Sequence, residues 1–174
     1  MFAAAGKVAP GSGGLLVLPY FSGERTPIND PAASGLIMGL GLGHDRAHLF
    51  RAVLEGVGYG VRHNLETLAE IGAKVTRVVA VGGGATSDTW LQIISDITGV
   101  TQVLTQVKIG ASYGNAFLAG RAAGISGADD IHQWVQPDRL ITPNPDVKER
   151  YDRVFEQYLK LYTSVREVMH ALRP

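Results

Sequence analysis

Two patterns take turns along this chain: short unbroken apolar runs, and longer stretches with an apolar residue at every third or fourth position. The runs are Leu15-Leu16-Val17-Leu18, Gly35-Leu36-Ile37-Met38-Gly39-Leu40, Val78-Val79-Ala80-Val81, and the segment near Thr101 to Leu104. Each has the length of a strand and meets Gly or Pro at an end. The run from Val78 to Val81 contains no polar residue and reads as a strand buried on both faces. The periodic stretches predict helices. Leu49, Val53, Val57, Val61, Leu65 and Leu68 form one stripe of a long helix that Asp45 can cap and that ends near Gly72. Gly56, Gly58 and Gly60 interrupt it, each at a cost of about 1 kcal/mol relative to alanine, which predicts close packing against a sheet or another backbone.

Trp90, Ile93, Ile94 and Ile97 line a shorter helix, with Thr86 or Ser87 available as N-cap and Gly99 closing it. A helix rich in small residues opens at Gly110, and Ile131 to Val135 forms a short amphipathic turn. Asn144-Pro145-Asp146 starts a last helix. Tyr151, Phe155, Tyr158 and Tyr162 run down it as a stripe that reads as core contact. Strands alternating with helices predict an α/β domain. Residues 1–13 are small, glycine-rich and without periodicity, and read as a loose, poorly structured lead-in.

The chemistry gathers at Gly82-Gly83-Gly84-Ala85-Thr86-Ser87-Asp88, between an apolar strand and a helix start. Unpaired amides and the positive end of the helix dipole favour phosphate there, and glycines let an anion approach the backbone. A tight structural connection is the other reading of the same residues. The dinucleotide fingerprint does not fit. It needs a glycine where Ser87 stands and an acid at the end of the next strand, and Val100 to Gln106 holds no carboxylate. A P-loop would need Gly-Lys-Ser/Thr, which occurs nowhere in the chain.

Composition narrows the partners. Sixteen basic and sixteen acidic residues among 174 give a net charge of zero, so nucleic acid or an anionic membrane has no electrostatic support. No cysteine is present, which excludes thiolate metal sites and suits a cytoplasmic protein. No apolar run reaches membrane-spanning length, and Met1 to Lys7 lacks the pattern of a secretory signal. His44 and His48 stand four apart without an evident third ligand and read as capping or solvated residues, so no metal site is expected. No nucleophile elbow exists. The proline-rich segment from Pro19 to Pro31 is an extended loop that is either functional or a surface connection carrying Glu24 and Arg25.

Gly35 to Leu40, seven intervening residues, and then His48-Leu49-Phe50-Arg51-Ala52-Val53-Leu54-Glu55 closely resemble the second signature of the FGGY carbohydrate kinases. Ser22-Gly23-Glu24-Arg25-Thr26-Pro27 with Asp30-Pro31 is similar to the loop of the xylulose-kinase branch. Gly82 to Asp88 through Trp90 resembles the family's adenosine motif, and Pro143-Asn144-Pro145 with the Tyr-rich helix is similar as well. The resemblance covers 14–174 and implies the second, C-terminal domain of a sugar kinase, an actin-like or ribonuclease-H-like ATPase domain with a mixed sheet flanked by helices. It implies ATP with Mg²⁺ as cofactors and a small-molecule sugar, a pentulose such as xylulose, as acceptor. It assigns the nucleotide to Gly82, Gly83, Gly84, Ala85, Ser87 and Asp88, with the Gly83 and Gly84 amides facing phosphate and Ala85, Ser87 and Asp88 bordering ribose and adenine.

No residue of this chain matches the family's catalytic aspartate, so the base is expected in an N-terminal sugar-binding domain, the implied partner. The family's phosphate-contacting segment before Leu15 also has no match. The fragment alone is then expected to be inactive and, with apolar surface exposed, to self-associate. The alternative expectation is a stand-alone actin-like domain serving as a regulatory or assembly module.

Overall fold

Helix α2 (Arg46–Glu70) is the axis on which the fold is built. Asp45 caps it: one carboxylate oxygen accepts the Ala47 and His48 amides at 2.9 and 3.1 Å, and the His48 ring closes a capping box. His44 is used locally too, its Nδ1 accepting the Gly41 N–H at 2.9 Å. The face that α2 buries differs from the aliphatic stripe expected from the sequence. It carries Arg51, Ala52, Leu54, Glu55, Gly56, Gly58 and Tyr59, while Leu68 is exposed. The reason is backbone proximity. A Cβ on Gly56 would lie 2.6 Å from the Val17 carbonyl oxygen, and one on Gly58 2.7 Å from Ile97 Cδ1. The glycines set the approach, while Leu49 and Val53 of the expected stripe pack, partly buried, against Leu15 and Val17.

The structure is a computed structural model and describes residues 1–172, so the last two residues of the expected domain lie outside it. Strand β1 (Leu16–Leu18) pairs antiparallel with β2 (Leu36–Met38), Leu16 opposite Met38. A second sheet has the order β3-β4-β5. Strand β3 (Val78–Ala80) runs parallel to β4 (Gln102–Thr105), joined by α3 (Asp88–Thr98), which Gly99 ends in a left-handed conformation. After α4 (Ala111–Ala122) and the short α5 (Ile131–Trp134), β5 (Pro137–Ile141) returns antiparallel to β4. The sheet is therefore mixed.

Helix α6 (Lys148–Ala171) closes the chain. Its aromatic stripe is core, as expected: Tyr151, Phe155, Tyr158 and Tyr162 pack with Tyr20, Tyr59 and Ile97 in the main hydrophobic cluster.

The segment 1–13 differs most from its sequence reading. Residues Phe2–Ala5 form α1, Ser12–Gly14 a turn of 3₁₀ helix, and Ala5 and Ser12 are fully buried. A buried carboxylate fastens it. Glu55 Oε1 accepts the Gly11 N–H at 3.0 Å, Arg51 Nε at 2.8 Å and the Tyr151 hydroxyl at 3.0 Å, while Oε2 accepts the Ser12 hydroxyl at 2.7 Å. Burial, and then the Glu55 charge, push the Tyr151 phenol well above its ordinary pKa. Periodicity cannot show such an anchor, because its partner is an acid on a helix far along the chain. The expected double burial of β3 is also corrected: β3 is an edge strand, with Val79 37% and Val81 51% exposed.

Candidate functional site

The glycine turn stands between β3 and α3, and each of its residues has a distinct task. Gly82 has φ +82°, which favours glycine, and its N–H donates to the Lys108 carbonyl at 2.7 Å. This bond ties the turn to the segment between β4 and α4. Residues Gly83–Thr86 form one 3₁₀ turn, with the Ala85 N–H on the Gly82 carbonyl at 3.1 Å and the Thr86 hydroxyl on the Gly83 carbonyl at 2.7 Å. Of the two candidate caps, Ser87 serves, accepting the Trp90 N–H at 3.3 Å.

Gly83 and Gly84 are exposed, and among the described residues their N–H groups have no acceptor. A Cβ on Gly83 would meet nothing within 4 Å, and one on Gly84 would stand 3.4 Å from the Trp90 indole nitrogen. Two free amides thus stand on exposed residues of the 3₁₀ turn, five and four residues before the eleven-residue helix α3 begins at Asp88. Unpaired backbone donors close to a helix N-terminus are in general an arrangement that favours an anion.

The six expected site residues are contiguous but not equivalent. Ala85 is 2% exposed, so its side chain packs inward. The Ser87 hydroxyl is committed to the cap. Asp88 projects outward from the first turn of α3 and pairs with Arg139 of β5. Sequence reasoning missed Arg139, because a strand beginning Pro-Asp-Arg carries no apolar run to announce it. The pair offsets the Asp88 charge, which alone would oppose an anion at the turn.

Beside the turn, a cavity of about 300 Å³ is lined by Val81, Val107, Ile109, Tyr113, Phe117 and Trp134. Its lining is almost wholly apolar, with the Tyr113 and Trp134 rings 5.0 Å apart. Val81 is the residue it shares with the approach to the turn.

The loop from Pro19 to Pro31 is tied by its own hydrogen bonds. Glu24 Oε1 accepts the Arg25 and Thr26 amides at 2.9 and 3.1 Å, and the Glu24 and Asp30 backbones exchange bonds of 2.9 and 2.7 Å. Asp30 anchors its far end, accepting the Tyr162 hydroxyl and His170 Nε2, each at 2.7 Å. These two bonds hold its carboxyl at a pKa of about 2, well below the usual range. Arg25 is left exposed on the frame this makes. Among the described residues no three His, Cys, Asp or Glu side chains stand together to hold a metal, and no helix is long and apolar enough to cross a membrane.

Comparison with known proteins agrees with this arrangement. Residues 1–123 match the model of the FGGY family of carbohydrate kinases, C-terminal domain. The match includes the segment that the sequence reads as a lead-in. The xylulose kinase of Bacillus subtilis is 33% identical over 165 residues, which is 94% of this chain and 33% of that protein. The gluconokinase of the same organism is 32% identical over 177 residues, covering 97% of this chain and 34% of its own length. The crystal structure of xylulose kinase from Rhodospirillum rubrum superposes with a TM-score of 0.83 at 36% identity, over 97% of this chain and 34% of that one. The chain spans about a third of the length of the relatives it matches. With most of its length matched by the family model and its fold shared with these actin-like ATPases, the chain belongs to the FGGY carbohydrate kinases and corresponds to their C-terminal domain.

Proposed function

We propose that this chain is the nucleotide-holding part of an ATP-dependent carbohydrate kinase, with Gly83 and Gly84 receiving the nucleotide phosphates. The observation that carries the reading is the pair of free amides in the 3₁₀ turn that leads into α3. The remainder of the protein holds the sugar and supplies the base. A pentulose such as xylulose is the proposed acceptor, supported by the naming of the similar proteins and by the Gly23-Glu24-Arg25-Thr26-Pro27 loop.

In the reaction the sugar hydroxyl attacks the γ-phosphorus in line, the bond to the β-phosphate oxygen breaks, and ADP leaves. This chain's part is positional. The two amides fix the phosphates without reorganisation, and the Arg139–Asp88 pair flanks them, leaving carboxylate oxygens able to accept from ribose hydroxyls or the adenine amino group. Mg²⁺, when it accompanies the nucleotide, neutralises charge on the phosphate oxygens. The residues here do not furnish its ligands: Asp88 is the acid on the first turn of α3, and Arg139 holds it. Consumption of ATP suits a cytoplasmic setting.

Calorimetric titration with Mg²⁺-ATP and Mg²⁺-ADP tests the proposal. Weak binding, lost in Gly84→Val and reduced in Asp88→Ala, is expected. Binding unchanged in Gly84→Val removes the glycine turn from the site. Full-length protein that binds no nucleotide supports a regulatory or assembly module instead.

A further inference from the structure

The apolar cavity beside the glycine turn has a glycine in its wall that packing does not require. Tyr113, Gly114 and Phe117 share one face of α4 at helical spacing, and all three line the cavity. Gly56 and Gly58 of α2 are crowded by the Val17 carbonyl and by Ile97, whereas a Cβ on Gly114 meets nothing within 4 Å. Its φ is not in the left-handed region either. Glycine inside a helix costs about 1 kcal/mol relative to alanine, and at Gly114 what that cost leaves is open space between two rings.

The lining defines what fits. Trp134 stands 5.0 Å from Tyr113 and 5.4 Å from Phe117, the second contact edge to face, so three rings form one wall. Val81, Val107 and Ile109 contribute aliphatic surface. Among the described residues no charged side chain lines the cavity, and both hydroxyl protons there are spent: Thr105 donates to the Val107 carbonyl at 2.7 Å and Tyr113 to the Trp134 carbonyl at 3.2 Å. The Trp134 indole N–H is left without an acceptor among the described residues. An ion taken in here would lose its water and gain no counter-charge, and a nucleobase would leave most of its donors and acceptors unpaired. A flat uncharged ring packs edge-on or offset against the aromatic wall without that loss. The volume of about 300 Å³ is at the small end of ligand pockets and admits one or two rings.

We infer that this cavity is a binding site for a small uncharged aromatic molecule with at most one hydrogen-bond acceptor, and that its occupant tightens the glycine turn. Cavity and turn share a wall. Val81 lines the cavity and leads straight into Gly82, whose N–H donates to the Lys108 carbonyl at 2.7 Å, and Lys108 stands between the lining residues Val107 and Ile109. A ring packed against all three aliphatic residues holds both ends of that bond together. The effect on phosphate rests on the nucleotide reading given above; the site itself does not. Ring and nucleotide favour the same closed turn, so each raises the affinity of the other by the same factor.

The test uses this chain with methyl groups labelled for NMR and two probes of similar shape, acetophenone and its charged counterpart benzoate. Acetophenone is expected to shift the methyls of Val81, Val107 and Ile109 saturably, with half-saturation near about 1 mM, and benzoate to bind roughly tenfold more weakly or not at all. Absence of saturable shifts, shifts spread over exposed apolar residues elsewhere, or tighter binding of benzoate overturns the site. This comparison needs no variant. Gly114→Leu fills the cavity from α4 and is expected to abolish the shifts without lowering the melting temperature; acetophenone binding at wild-type strength in the folded variant overturns the placement. Calorimetry then reads the coupling: saturating acetophenone lowers the dissociation constant for Mg²⁺-ADP by roughly fivefold. An unchanged constant overturns the regulatory half and spares both the cavity and the nucleotide reading. A chain that binds acetophenone but no nucleotide overturns the nucleotide reading, and the coupling with it, and supports the cavity.

Discussion

The buried carboxylate of Glu55 offers the sharpest test of how the fold is held. Glu55 is 1% exposed and Arg51 5%. Glu55→Ala removes the acceptor for the Gly11 amide, the Ser12 and Tyr151 hydroxyls and Arg51 Nε together. The Arg51 cation keeps only the Tyr151 hydroxyl at 2.7 Å and the Ala5 carbonyl at 3.3 Å. Breaking a buried pair from one side costs roughly 3–5 kcal/mol, because the surviving charge is stranded. Such a loss is a large share of a total stability of roughly 5–15 kcal/mol. With a urea slope of about 2 kcal/mol per molar, the unfolding midpoint falls by about 2 M. Glu55→Gln separates charge from geometry. Its carbonyl takes over the three bonds of Oε1 and its amide faces the Ser12 hydroxyl, so it is expected to cost about half as much as alanine. Arg51→Met with Glu55→Leu removes both charges and recovers much of the loss. Urea titration at neutral pH, read by circular dichroism, gives all three values. A Glu55→Ala loss under about 1 kcal/mol, or equal costs for Gln and Ala, refutes the reasoning.

Three further outcomes follow from distances and burial. Gly56→Ala gains about 1 kcal/mol of helix propensity but drives a Cβ to 2.6 Å from the Val17 carbonyl oxygen; overpacking against backbone wins by about 1–2 kcal/mol, so thermal unfolding occurs earlier. Gly60→Ala meets only the Tyr158 hydroxyl at 3.6 Å and is neutral or stabilising by up to about 1 kcal/mol in the same assay. The Asp30 carboxyl sits at about 2 in the folded chain because Tyr162 and His170 donate to it, against about 3.9 unfolded. Its contribution is fully present above about pH 4 and is lost as pH falls toward about 2, about 1–2 kcal/mol after allowing for solvent screening. Urea midpoints at about pH 5 and about pH 2.5 should therefore converge for wild type and Asp30→Asn.

Local signals made much of this molecule legible in its sequence. Asp45, Ser87, Asn144 and Gly99 cap or close helices where their side chains or conformations dictate, and the aromatic stripe of α6 is core because a 3.6-residue period survives any tertiary setting. The glycines of α2 announced close packing and their distances bear it out at Gly56 and Gly58. What stayed hidden depends on partners distant in sequence. The lead-in is ordered by Glu55, 43 and 44 positions away from Ser12 and Gly11. The Asp88–Arg139 pair joins a helix to a strand whose polar start gives no apolar pattern. The exposure of β3 could not be read either, since Val78 to Val81 has the composition of a strand buried on both faces yet stands at an edge of the sheet formed by the described residues.

That mismatch also explains how stability and chemistry are distributed. The main cluster gathers α1, β1, α2, α3 and α6 around aromatic and aliphatic side chains under 2% exposed, among them Tyr20, Tyr59, Tyr151 and Tyr158. Beneath the glycine turn the buried cluster is only Leu91, Leu104 and Ile141, with Ala80 against it. A small core under a sheet with one open edge opens locally at lower free energy than the aromatic block beside it. Phosphate held at Gly83 and Gly84, as proposed, would favour the closed turn, and its apparent affinity would be lowered by the free energy that ordering β3 and its turn costs.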